Sequence, residues 1–184
     1  MKLNRKLAYT LLIGMAALFT QCKDSGENLT PDDENELITS VILNFKETGS
    51  GAMSTFTFRD PDGDGGNAAT KFDTISLKAN TAYTLTVEFL DESKSPVVDI
   101  TKDIEEEKED HLLIFTASPA SLLTYSYGDK DKNNFPIGLL GTATAGAAGL
   151  GKLKVQLRHQ PGTKNGTAAP GSDDVQLDFN LKVK

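Results

Sequence analysis

Apolar and polar side chains alternate with a period of two at the end of this chain, where Val175, Leu177, Phe179, Leu181 and Val183 are separated by Gln176, Asp178, Asn180 and Lys182. Successive side chains of an extended strand point to opposite faces, so the pattern lays one face on a core and the other in water. A helix would scatter the same apolar positions around its circumference. Leu153, Val155 and Leu157 repeat the pattern against Lys152, Lys154, Gln156 and Arg158, as do Tyr83, Leu85, Val87 and Phe89 against Thr84, Thr86 and Glu88. Further strands are predicted over 37–45, 53–59, 72–77, 112–116, 123–127 and 137–144. Turn-forming runs such as Thr48-Gly49-Ser50-Gly51 and Pro161-Gly162-Thr163-Lys164-Asn165-Gly166 part them. About nine short strands at this spacing predict an all-β fold, an antiparallel immunoglobulin-like β-sandwich. The glycines and alanines of 141–151 read as a compact connection between strands. One stretch departs from the alternation: over 99–110 seven acids accompany Ile100 and Ile104, spaced to share a helical face, which predicts a short helical or irregular crossover between the two sheets.

The start of the chain has another pattern. Lys2, Arg5 and Lys6 precede an apolar run over 7–19 interrupted only by Tyr9, Thr10 and Gly14, and Cys22, the single cysteine, follows closely. A membrane-spanning helix needs about 20 apolar residues, so the run fits the apolar region of a signal peptide instead. Leu18-Phe19-Thr20-Gln21-Cys22 resembles the lipobox of bacterial lipoproteins. Gln21 stands where most of them carry a small residue, a departure similar to that of Bacteroidota lipoproteins, and Lys23-Asp24 matches the start of their outward export signal before Ser25-Gly26 interrupts it. The resemblance implies cleavage after residue 21, lipidation of Cys22 and display at the outer membrane, on the cell surface. Between Cys22 and Glu36 the only large apolar residue is Leu29, among six acids, so 22–36 reads as a flexible tether and 37–184 as the β-sandwich domain.

Charge narrows the partners. The formal net charge is -7, and the first 21 residues hold three basic residues and no acids, so their removal takes the chain to -10. Such a surface repels phosphate backbones and anionic lipid, which argues against nucleic acid and leaves the acyl chains as the membrane contact. With one cysteine no internal disulfide exists, and the apolar core carries the fold unaided.

Three constellations are candidates for chemistry. Asp60, Asp62 and Asp64 alternate, with Asn67 after them, in a glycine-rich run that resembles the opening half of a calcium loop, although its twelfth position is Lys71 rather than a glutamate. Asp129, Asp131, Asn133 and Asn134 form a poorer version, and turn chemistry accounts for both sets as well as calcium does. His111 and His159 each lie at a strand edge, and Glu109, two residues from His111, shares its face if the chain there is extended; if the fold brings His159 alongside, the three would suit zinc or copper, and otherwise they are two unrelated surface histidines. The run 146–153 approximates a phosphate-binding loop, but Leu153 replaces the hydroxyl residue and the following residues alternate like a strand, so nucleotide binding is not expected. No nucleophile has a recognisable neighbourhood.

Through Asp62-Gly63-Asp64-Gly65-Gly66, Ile104-Glu105-Glu106-Glu107, Pro136-Ile137-Gly138 and Leu157-Arg158-His159 the chain also resembles a group of small Bacteroidota lipoproteins without assigned chemistry. Some carry the label of a type 1 periplasmic-binding fold, which implies alternating helices and parallel strands in conflict with the alternation here. The expectation is a non-enzymatic, lipid-anchored binding or accessory module beside an outer-membrane transporter or other surface protein. It requires no cofactor, calcium being the candidate ion. Transition-metal capture is the first alternative, and a surface adhesin binding carbohydrate or protein the second.

Overall fold

The computed structural model describes residues 37–63 and 66–184; the expected signal peptide and tether, Cys22 with them, and Asp64 in the acidic loop lie outside the described residues. Within them the alternating stretches pair through their backbones, because a half-buried strand must satisfy its N–H and C=O groups on a neighbour. In chain order the strands are β1 (Ser40–Glu47), β2 (Met53–Arg59), β3 (Lys71–Phe72), β4 (Ile75–Leu77), β5 (Ala82–Asp91), β6 (Val98–Asp99), β7 (His111–Ser118), β8 (Leu123–Tyr127), β9 (Leu140–Ala145), β10 (Gly149–His159) and β11 (Ser172–Val183), with helix α1 (Thr101–Glu106) between β6 and β7. One sheet runs β3-β2-β1-β5-β9-β8 with β6 beside β5, and the other runs β4-β11-β10-β7. Every pairing is antiparallel except that of β4 with β11.

The inward faces of the two sheets meet in one core, to which β1 and β5 bring Leu43, Phe45, Leu85 and Phe89 and the opposite sheet brings Leu113, Leu153, Val155 and Phe179. Phe45, Phe89 and Phe179 are fully buried, each contributing about 1.5–3 kcal/mol by leaving water. The protein is therefore an all-β sandwich. A type 1 periplasmic-binding architecture has no place in it, since only one short α-helix occurs among the described residues.

Several boundaries differ from the sequence pattern for local reasons. The single strand expected over 72–77 is two, β3 and β4, which belong to opposite sheets. Asp73 makes the break: its N–H donates to Thr57 O at 3.0 Å and its carboxylate accepts from Thr57 N at 2.9 Å, so the chain is pinned to β2 before it crosses. The small residues of 141–151 lie largely within β9 and β10 rather than in a connection. Gly141 is small because a Cβ there would stand 2.4 Å from the Tyr125 ring. The acidic stretch over 99–110 does carry the chain from one sheet to the other, as α1 and a following turn. Ile100 and Ile104, 5% and 1% exposed, supply its buried face.

Two features place the site described next. Between Leu157 and Arg158 the β10–β11 register slips: Leu157 faces Val175 and Arg158 faces Asp173, which leaves Asp174 as the extra residue of a β-bulge. After β10 the chain folds back through residues 160–171. Gln160, wholly buried, holds that loop by donating from Nε2 to Thr167 O and Pro170 O, both at 2.9 Å.

Candidate metal centre

β7 and β10 pair with His111 directly opposite His159, one step beyond the Leu113–Leu157 pair. The two imidazoles thus continue the inward row of the core to its end, where alternation alone would have placed apolar side chains. They are 3% and 7% exposed. Their rings stack with centroids 4.8 Å apart and planes 10° from parallel. Gly171 makes room for this end of β10: its φ is +79°, and a Cβ there would stand 1.9 Å from the His159 carbonyl oxygen.

His111 is held in one tautomer. Its Nδ1 lies 3.2 Å from the carbonyl oxygen of Glu107. A carbonyl only accepts, so Nδ1 carries the proton and donates, and Nε2 is left with a lone pair. Burial pushes the imidazole below its ordinary pKa; the Glu107 carbonyl opposes that shift, and His159 adds to it. The ring is therefore neutral near pH 7, the form that ligates a metal. The hydrogen bond from its far nitrogen to a backbone carbonyl is the arrangement that orients metal-binding histidines.

The carboxylate that joins the histidines is that of Glu107. Ligand atoms of Glu107, His111 and His159 all lie within 4.8 Å of one another. Glu109, expected to share a face with His111, has its carboxylate 3.6 Å from Lys132 Nζ instead. The expectation assumed an extended chain, whereas β7 begins only at His111 and residues 107–110 form a turn. In a turn wound like a helix the neighbour of residue i is i−4, so spacing from His111 to Glu107 would have been the signal to follow.

A further carboxylate was not foreseen at all. Strict alternation from Val175 would send Asp174 outward beside Gln176. The bulge gives the outward place to Asp173, which takes Arg158 Nη1 at 2.6 Å and Gln156 Nε2 at 2.8 Å. Asp174 turns in. Its side chain is 4% exposed, and its Oδ2 lies 3.6 Å from His111 Nε2. Burial raises its pKa to about 6, with the nearby His159 pulling the other way. Asp174 also lines a cavity of about 270 Å³ between the sheets, together with Leu37, Ile38, Phe58, Asp60 and Gly63.

The acidic loops are closed by hydrogen bonds of their own. Asp62 Oδ2 accepts from the backbone N–H of Asn67 at 2.6 Å and from its Nδ2 at 3.0 Å. Those bonds hold the Asp62 carboxyl below its usual pKa, and its interaction with Asp60 adds to them. Asp60, Asp62 and Asn67 are thus gathered in one turn that their own hydrogen bonds close. In the second loop Asp129 accepts from Gly138 N and Leu140 N, and Asp131 Oδ1 from Asn133 N and Phe135 N.

Comparison of the chain with family models, with curated proteins and with solved structures finds no match.

Proposed function

We propose that this chain is a non-enzymatic binding module, lipid-anchored at the outer membrane through Cys22, that captures a divalent transition-metal ion, zinc or copper, between His111 and His159. The observation that carries the reading is the buried cross-strand pair itself: two imidazoles side by side, one with its lone pair fixed by the Glu107 carbonyl. A purely structural end to the core would be better served by two more leucines, since burying polar rings without full hydrogen bonding is unfavourable. The ring planes lie 10° from parallel, and rotation of the His159 ring about its soft χ2 angle changes where its nitrogens point. The acidic surface attracts cations, and a tethered ion-capture domain has its natural receiver in an outer-membrane transporter.

The test uses the full-length protein purified in detergent. Titration calorimetry and elemental analysis should find one zinc or copper(II) ion per wild-type chain, and none at matched concentration in His111→Ala/His159→Ala. A wild-type chain that takes up neither ion sinks the reading. The anchor is tested separately by Cys22→Ser, which should leave the membrane fraction and fail to incorporate labelled fatty acid.

A further inference from the structure

We propose that Asp174, turned inward by the bulge, is the third protein ligand of this centre, which makes it a two-histidine, one-carboxylate site for divalent borderline ions and excludes copper(I). The proposal rests on the reading of His111 and His159 as ligands. Its further support is the contact and burial of the carboxylate itself. Asp174 Oδ2 and His111 Nε2 face each other at 3.6 Å. That is too long for a hydrogen bond, and the proton on Nδ1 leaves Nε2 an acceptor like the carboxylate oxygen. Asp174 Oδ1, also buried, has no hydrogen-bond partner among the described residues. Two acceptors therefore converge in a buried place with no donor of those residues between them, an arrangement that a cation completes.

The spacing of this pair fits. Ligand atoms at roughly 2.1 Å from a tetrahedral ion stand roughly 3.4 Å apart, close to the 3.6 Å between Asp174 Oδ2 and His111 Nε2. An unpaired buried carboxylate is among the more unfavourable things a fold can keep, and a β-bulge, which re-aims one side chain without disturbing the rest of a strand, is the device that put it there. No sulfur donor is among the residues of this group, and imidazole with carboxylate suits zinc, cobalt(II) and copper(II) rather than copper(I).

Zinc and cobalt(II) are titrated into full-length wild type, Asp174→Asn, Asp173→Asn and His111→Ala/His159→Ala. Asp174→Asn should weaken zinc at least about a hundredfold and bleach the cobalt(II) visible band, Asp173→Asn should match wild type, and the double-histidine variant should bind neither. Wild-type affinity in Asp174→Asn with binding lost in the double variant overturns the Asp174 assignment and leaves the histidine reading standing; no binding by wild type overturns both. Copper(I) held under reductant should bind wild type more weakly than zinc, and tighter binding overturns the ion class. Anomalous diffraction from zinc-loaded wild-type crystals needs no variant: an ion within bonding distance of Asp174 upholds the proposal, and one held by the histidines with Asp174 out of reach refutes it.

Discussion

Lys164 and Asp131 form an ion pair at 2.9 Å with side chains only 2% and 0% exposed. Lys164 also donates to Lys108 O at 2.6 Å, so one ammonium ties the loop after β10 to the turn that carries Glu107. Substituting Lys164→Met keeps the apolar stem and removes the charge. The Asp131 carboxylate then stays buried with two backbone donors, Asn133 N and Phe135 N at 2.8 and 2.9 Å, and no cation. Breaking a buried pair from one side destabilises by about 3–5 kcal/mol, and those two amides put the value near the lower end, about 3 kcal/mol. For a domain of this size each kcal/mol moves the melting point by about 2–4 °C, so a fall of roughly 6–12 °C is expected. Lys164→Met/Asp131→Asn removes both charges and should recover most of that loss. The sign with pH follows from the same contacts. Burial alone would raise the Asp131 carboxyl, but Lys164 and the two amides outweigh it and hold it below its ordinary 3.8. A depressed folded-state pKa means the stability is present above 3.8 and is lost as pH falls through the folded value, so Asp131→Asn should flatten the acid limb of the stability curve. Urea titrations across pH with near-ultraviolet dichroism measure all of this. A single variant within about 1 kcal/mol of wild type, or a double variant no better than the single, refutes the reasoning.

Two other substitutions probe the frame around the metal centre. Gly171→Ala forces a Cβ toward the His159 carbonyl at a positive φ, and should destabilise by about 1–3 kcal/mol while loosening zinc, read by thermal melts and zinc titration of one preparation. Phe179→Ala empties a fully buried site whose ring stands edge-on to Phe72 at 4.9 Å, and should destabilise by about 3–5 kcal/mol in urea titrations without changing the metal stoichiometry of the folded protein.

Much of this architecture is legible without coordinates. The alternations in β5, β10 and β11 are local statements about which side chains avoid water, and they survive intact in the two sheets. Even the crossover was readable, because Ile100 and Ile104 announce a buried helical face within an acidic run. The site was legible only as a list of suitable residue types. His111 and His159 were candidates, yet nothing local to either says that β7 and β10 pair with those two residues opposite each other. Alternation points to Glu109 because it carries strand geometry two residues ahead of His111, where β7 starts.

Asp174 shows the division most plainly. By itself the sequence settled that the chain would form half-buried strands, since the period of the side chains is a property of neighbours along the backbone. Which carboxylate of the Asp173-Asp174 pair faces the histidines was decided by a one-residue slip between β10 and β11, and a slip is a relation between two strands, set by how their side chains and the core fit together. Register joins residues far apart in the chain, so only the folded structure contains it.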